Sequence, residues 1–223
     1  MKKTLLAFAL LSTIPTAVLA NQAGDILVRG GLTMVAPDTG KSSILLGGDD
    51  STMTLTVDDN TQLGLNLVYF FDSNWAIELL AATPFTHDVT IQDPSGVLGV
   101  DGAKLAEVSH LPPTLSALYY FDTGTALKPY VGVGLNYTIF FDEEFESAPT
   151  ELGLTNLELD GSFGYSVQVG ADYHINDKWH VNASIRYIDI NSDATFYVGG
   201  NSIGSASIYV DPMVYSIMLG YKF

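Results

Sequence analysis

Histidines are the side chains best suited to acid–base chemistry in this 223-residue chain, which has four of them and no cysteine. His87 is followed by Asp88, and His110 precedes a Leu-Pro-Pro sequence. A histidine with an aspartate and a serine forms the catalytic triad of many hydrolases. No spacing in this sequence specifies such a set. We therefore predict that both histidines flank a long loop and make hydrogen bonds there, and that the protein is not an enzyme.

The densest charge cluster is the Asp-Glu-Glu-Phe-Glu run at residues 142–146. Oxygen-rich loops bind calcium, but the run lacks the ligand spacing and the glycine of a calcium loop. It is therefore interpreted as a solvated acidic loop. The glycine pairs at residues 47–48 and 199–200 predict turns, because neither a helix nor a basic residue accompanies them. No cofactor or metal is expected.

The charge balance excludes another class of partner. The chain has 9 Lys and Arg residues against 25 Asp and Glu residues, a net charge of −16. Binding to nucleic-acid phosphates would need the opposite sign. Yet the mean hydropathy is +0.24 and 11% of the residues are aromatic, so apolar and acidic residues must be segregated along the chain.

The first twenty residues predict a secretory signal peptide. Lys2 and Lys3 precede an apolar stretch at residues 5–11, which is followed by Pro15 and by a cleavage site of small residues that ends at Ala20. The alternative is a membrane-anchoring helix, but Pro15 interrupts a stretch that is already shorter than the roughly 20 residues a spanning helix needs. We predict a signal peptide at residues 1–20 and a single domain at residues 21–223.

The rest of the chain alternates apolar and polar side chains with the period of a β-strand. For example, Trp179, Val181 and Ile185 alternate with His180 and Asn182. No segment has an apolar run long enough for a spanning helix, so a membrane location would require a closed sheet. Eight strands are predicted, around residues 26–34, 63–71, 75–81, 115–121, 131–139, 163–173, 179–187 and 213–223.

The connections between these strands alternate in length. Three are short turns rich in Asp, Asn and Gly, at residues 71–74, 122–125 and 175–178. The other four, at residues 37–60, 86–110, 142–161 and 191–207, are long and hold most of the acid. Short turns at one rim, long loops at the other and an even number of antiparallel strands predict an eight-stranded transmembrane β-barrel of the outer membrane.

Aromatic residues at the strand ends predict the interfacial girdle of such a barrel; they are Tyr69, Phe70, Phe71, Trp75, Tyr119, Tyr120, Phe121, Tyr130, Tyr173 and Trp179. The alternative is a soluble, lipocalin-like barrel with its apolar face inside. The second face of the strands, which carries Arg29, Glu78, Asp172 and Arg186, would make a poor surface for such a protein. The membrane barrel is therefore favoured.

Several segments along the whole domain resemble the OmpW family of outer-membrane proteins. They are Asn-Thr-Gln-Leu-Gly-Leu at 60–65, Glu-Leu-Leu-Ala-Ala-Thr-Pro-Phe at 78–85, His-Leu-Pro-Pro-Thr-Leu at 110–115, Pro-Tyr-Val-Gly-Val-Gly-Leu-Asn-Tyr at 129–137 and Tyr-Ile-Asp-Ile at 187–190. The resemblance implies a narrow, largely apolar channel for small hydrophobic molecules, which opens sideways between strands into the lipid.

The resemblance places the channel constriction at Leu80 and position 186. A bulky Trp stands at the second position in a well-studied form of the family, whereas this chain has Arg186, which the alternation directs inward. A buried Arg needs a carboxylate partner. We predict a lumen charge network of Arg29, Glu78, Asp172 and Arg186, which argues against a purely hydrophobic gate at this level.

Two functions remain open from the sequence. One is a channel or binding pore for small hydrophobic molecules, located in the outer membrane and surrounded by lipid and lipopolysaccharide. It would capture its ligand between apolar loop residues, among them Leu98, Leu105, Leu111, Leu152 and Leu154, and inward residues such as Val35, Leu80 and Ala82. The other is a structural or interaction barrel with a plugged lumen and acidic loops that contact ions or lipopolysaccharide, to whose phosphates divalent ions could bridge them. A monomer is expected in either case.

Overall fold

A computed structural model describes residues 21–38, 42–46, 49–96, 99, 101–146, 149–150 and 154–223, so the predicted signal peptide lies outside the described residues. Among the described residues, none forms a helix with the length and hydropathy that a membrane crossing requires. The strands are β1 (Ile26–Ala36), β2 (Ser42–Leu46), β3 (Asp49–Val57), β4 (Asn60–Phe70), β5 (Trp75–Ala82), β6 (Phe85–Gln92), β7 (Lys104–Leu111), β8 (Thr114–Tyr120), β9 (Leu127–Phe145), β10 (Leu154–Leu159), β11 (Ser162–His174), β12 (Trp179–Ile188), β13 (Asn191–Val198), β14 (Asn201–Tyr209) and β15 (Met213–Lys222).

Eight of these strands form a closed antiparallel barrel, which we call the first tier. Its order is β1, β4, β5, β8, β9, β11, β12 and β15, and β15 pairs with β1 to close the ring. The predicted fold class is therefore confirmed. The three predicted short turns lie at one rim, where the described chain also begins and ends.

The outer face of the first tier is apolar, as predicted. Ile217 is 68% exposed and Leu219 is 50% exposed, whereas the neighbouring Met218 is buried. Part of the predicted aromatic girdle is wrong, however. Phe70, Tyr120 and Tyr130 are completely or almost completely buried and point into the lumen, because each occupies the inward position of a strand whose outward neighbours form the girdle.

The four long connections are not simply loops, since most of their residues form strands. These strands stand on the outer rim of the barrel as a second tier, an arc in the order β10, β13, β14, β2, β3, β6, β7 and the end of β9. The acidic run at residues 142–146, predicted as a loop, mostly continues β9. Gly199 and Gly200 adopt positive φ angles between β13 and β14, as the predicted turn requires.

The two tiers have opposite polarity. Along β12 and β13 the inward row changes from Asn182 and Arg186 to Ile188, Ile190 and Phe196, all of them buried. The outward row changes over the same few residues from apolar side chains to Asp189, Asn191 and Asp193. The first tier is therefore apolar outside and polar inside, as suits lipid, while the second tier is polar outside and apolar inside, as suits water.

Candidate functional site: the lumen and its outer chamber

The four residues of the predicted lumen charge network lie in contact inside the first tier. Arg29 donates to Glu78 at 3.1 Å and to Asp172 at 2.6 Å, and Arg186 donates to the second oxygen of Glu78. All four side chains are at most 3% exposed. Two guanidinium groups thus face two carboxylates in a closed, charge-balanced cluster.

Neutral side chains satisfy the remaining oxygens of this cluster. Gln168 and Asn66 each donate to Glu78 at 2.9 Å, and Asn182 donates to Asp172 at 2.8 Å. Tyr120 donates to Asp172, and Arg29 donates to His180 at 3.2 Å. The prediction of the network did not include these residues, although the strand period directs each of them inward.

An apolar layer lies in the lumen on the side of the short turns, where Lys128 and His174 are also buried. It consists of buried side chains that pack directly beneath the network; they are Leu27, Val68, Phe70, Ala76, Leu118, Tyr120 and Tyr130. The Tyr120 ring lies 4.9 Å from the rings of both Phe70 and Tyr130, centroid to centroid. The network and this layer are continuous, because Tyr120 packs in the layer and bonds to Asp172 of the network.

The second tier encloses an apolar chamber above the network. The space between its lining residues, with the open solvent at its mouth included, is about 650 Å³. Of the described residues that line it, fourteen are apolar and two are the histidines His87 and His110. Leu105 belongs to this lining, but Leu98 and Leu152, predicted to help capture the ligand, lie outside the described residues.

The two histidines of the chamber face each other. His87 Nε2 lies 3.0 Å from His110 Nε2, and His87 Nδ1 lies 2.6 Å from the carbonyl oxygen of Asp58. Burial lowers the pKa of His87, and burial together with the neighbouring His87 lowers the pKa of His110 to about 3. Both rings are therefore neutral near pH 7.

The barrel wall is interrupted beside the chamber. The ladder between β5 and β8 ends at Leu80, which faces Thr114, and pairing resumes where Phe85 faces His110. No backbone pairing joins residues 81–84 to residues 111–113, all of which the structure describes. Three of these seven residues are prolines, which have no N–H to donate. The two segments that border the interruption hydrogen-bond to the strands on their other sides instead. Thr83 N–H donates to the carbonyl of Leu63 on β4, and Tyr137 N–H on β9 donates to the carbonyl of Pro113.

Comparison with known proteins agrees with this architecture. The profile of the OmpW family matches residues 22–223. The chain belongs to the OmpW family. Outer membrane protein W of Vibrio cholerae is 42% identical over all of both chains, and that of Escherichia coli K12 is 40% identical over 100% of this chain and 99% of its own. The crystal structure of OprG from Pseudomonas aeruginosa superposes with a TM-score of 0.84 at 40% identity, covering 92% of this chain and 99% of that one.

Membership of the OmpW family makes this chain an outer-membrane barrel. Of the constriction pair that the family resemblance implied, Leu80 is buried in the lumen wall, and Arg186 is held against Glu78, two residues before Leu80 on the same face of β5. Among the described residues, His87 and Asp88 do not pair as they would in a hydrolase-like set. The Asp88 carboxylate binds Lys104, and His87 bonds to a backbone carbonyl instead.

Proposed function

We propose that this OmpW-family barrel takes small hydrophobic molecules from the medium and releases them sideways into the outer membrane. The observation that carries the proposal is the apolar chamber inside a second tier whose outer face is polar. Transfer of an apolar molecule from water into such a chamber is favourable, at about 25 cal/mol for each Å² of apolar surface removed from water. The chamber is the capture site.

The contents of the first tier favour release through the wall. Below the chamber, toward the periplasm, the lumen contains first the buried charge network and then the apolar layer around Tyr120. The network consists of Arg29, Glu78, Asp172 and Arg186. A ligand would have to break the buried ion pairs to continue toward the periplasm. The interruption between residues 81–84 and 111–113 lies at the level where the chamber meets the lipid-facing wall, so it is the proposed exit.

One relative's name fits this substrate class. The dibenzothiophene metabolism operon protein PahQ of Pseudomonas aeruginosa is 27% identical over 87% of this chain. Dibenzothiophene is a fused aromatic molecule with no hydrogen-bond donor. A ligand of this chemical kind suits a chamber lined by Leu, Val, Ile and Phe side chains.

Uptake of naphthalene by cells tests the proposal. A Gram-negative host that lacks its own OmpW-family protein would express this chain, and the initial rate of naphthalene entry would be measured. We expect faster entry than in the empty host. Replacing Pro84, Pro112 and Pro113 by Ala supplies three N–H donors to the segments that border the interruption. These donors would allow the segments to pair, so entry should slow severalfold. Pro94→Ala, in the exposed tip between β6 and β7, is the matched control and should not change the rate.

Equal entry rates with and without the protein would overturn the transport proposal. An unchanged rate in the triple variant would overturn the sideways exit alone.

A structural or interaction role is the second candidate, and the filled lumen favours it. The outer face of the second tier also carries acids such as Glu107, Glu158 and Asp193, which divalent ions could bridge to lipopolysaccharide. This role predicts magnesium-dependent binding of lipopolysaccharide together with no binding of naphthalene.

A further inference from the structure

The polar groups of the chamber are concentrated at one point. Among the described residues that line it, only His87 and His110 have polar side chains, and each is 3% exposed. The His110 ring lies between Phe85 and Phe140, with centroid distances of 5.6 and 5.9 Å. Among the described residues, His110 Nδ1 has no hydrogen-bond partner. A buried polar atom without a partner destabilises the empty site and would be satisfied by a suitable ligand.

The hydrogen-bond pattern fixes what kind of partner His110 lacks. A carbonyl oxygen only accepts, so His87 Nδ1, 2.6 Å from the Asp58 carbonyl, must carry the proton. The other nitrogen of neutral His87 is then an acceptor. His110 Nε2, 3.0 Å away, must donate to it. A neutral imidazole has one donor and one acceptor, so His110 Nδ1 is left with a bare lone pair.

We infer that the chamber selects apolar molecules that carry a hydroxyl group, such as phenols and alcohols, whose O–H donates to His110 Nδ1. This inference rests on the proposed function and names the preferred substrate class of the same chamber. The apolar lining binds the body of the ligand, and the lone pair of His110 binds its single donor. Since Phe85 and Pro84 are neighbours in sequence, the anchored hydroxyl lies beside the proposed exit.

The inferred preference is directional. A ketone or an ether offers only acceptors, which cannot bond to a lone pair, and a hydrocarbon leaves Nδ1 unsatisfied as it is in the empty chamber. A typical net hydrogen bond corresponds to a gain in affinity of about threefold to tenfold. His87 acts as a positioning residue, because its bond to Asp58 sets the tautomer of His110.

Three probes with the same apolar body test the inference: 1-naphthol, 1-methoxynaphthalene and naphthalene. Their affinities for the full barrel in lipid nanodiscs would be measured relative to their partition into empty nanodiscs. We expect 1-naphthol to bind about threefold to tenfold more tightly than the other two. In nitrogen-15 spectra of the histidine rings, 1-naphthol should shift the Nδ1 resonance of His110, and 1-methoxynaphthalene should not shift it in the same way.

Three variants test whether His110 is responsible for the tighter binding of 1-naphthol. His110→Phe should remove the advantage of 1-naphthol while keeping naphthalene binding, because Phe suits the surrounding rings. His87→Phe should reduce the advantage, since His110 can then adopt either tautomer. His174→Phe, at the opposite end of the barrel, is the matched control and should leave it intact. Folding of each variant would be checked by heat-modifiable migration on gels.

The possible failures are distinguishable. Equal affinities for the three probes, or an advantage of 1-naphthol that persists in His110→Phe, would overturn this inference and leave the hydrophobic chamber standing. Failure of all three probes to bind would overturn the proposed function itself.

Discussion

Substitution of Glu78 by Gln is the most informative perturbation of the lumen. Glu78 accepts four hydrogen bonds, from Arg29, Arg186, Asn66 and Gln168. Glutamine keeps the shape of the side chain but removes the charge and turns one accepting oxygen into a donor. The change leaves two buried guanidinium groups with a single carboxylate.

The expected cost follows from what each arginine retains. Arg29 keeps Asp172, Tyr120 and His180 as partners, so its loss is partial. Arg186 keeps only the side-chain oxygen of Gln168 at 2.7 Å among the described residues, so its charge becomes almost uncompensated. Removing one partner of a buried ion pair typically costs about 3–5 kcal/mol. We expect Glu78→Gln to lower the free energy of unfolding by that amount.

The assay is urea-induced unfolding in phospholipid vesicles, followed by tryptophan fluorescence. The second variant is Glu78→Gln combined with Arg186→Met, which removes the uncompensated charge and should recover at least half of the lost stability. Glu107→Gln, an exposed acid of the second tier, is the matched control and should change the stability by no more than about 0.5 kcal/mol.

A loss below about 1 kcal/mol in Glu78→Gln would refute this reasoning, because it would mean that water reaches the cluster and screens it. A double variant no more stable than the single one would show that the loss arises from shape rather than from the unpaired Arg186. Either result would also weaken the view that the network closes the lumen.

Two further predictions concern packing and pH. A Cβ at Gly31 would lie 2.2 Å from the carbonyl oxygen of Ile217, so Gly31→Ala should lower the midpoint of urea unfolding by the equivalent of about 1–3 kcal/mol. Gly30→Ala, next along β1 with nothing within 4 Å, should be neutral. The pKa of His110 is lowered to about 3 from an ordinary value of 6.5. The unfolded state therefore binds more protons between these values, and the free energy of unfolding should fall as the pH decreases from about 6.5 toward 3. His110→Phe should flatten that dependence in urea titrations at pH 7 and 4.5.

The first tier could be predicted because the side chains of its strands alternate regularly between lipid and lumen. Each strand faces lipid on one side, so every second residue must be apolar, and Ile217 and Leu219 lie where that rule directs them. The same period turned Arg29, Glu78, Asp172 and Arg186 inward, and electrostatics required that they meet. The same period directs Phe70 inward and so excludes it from the girdle. The prediction included it because its neighbours Tyr69 and Phe71 are aromatic too.

The second tier was missed because its strands depart from that pattern. At Pro84 the inward row changes from even to odd positions, and in β9 a positive φ angle at Asp142 accompanies a shift in the register with β7. These irregularities break the simple alternation. Where no irregularity occurs, from Trp179 to Phe196, the exchange of polar and apolar rows is readable in the sequence, and it marks the level at which the barrel leaves the lipid.

Under the proposed function, the exchange of polar and apolar rows between the two tiers also determines where a bound molecule can go. An apolar ligand in the chamber meets Arg186 and Glu78 below it, and displacing that pair would cost several kcal/mol without any compensating contact. Sideways, between residues 81–84 and 111–113, it meets lipid tails that are as apolar as the chamber, and no backbone pairing need be broken there. The sideways route is therefore expected to have the lower barrier, and under the proposed function the ion pairs contribute by making the straight route unfavourable. In the function proposed above, a polar plug beneath an apolar chamber would thus direct hydrophobic molecules into the membrane and keep the periplasm closed.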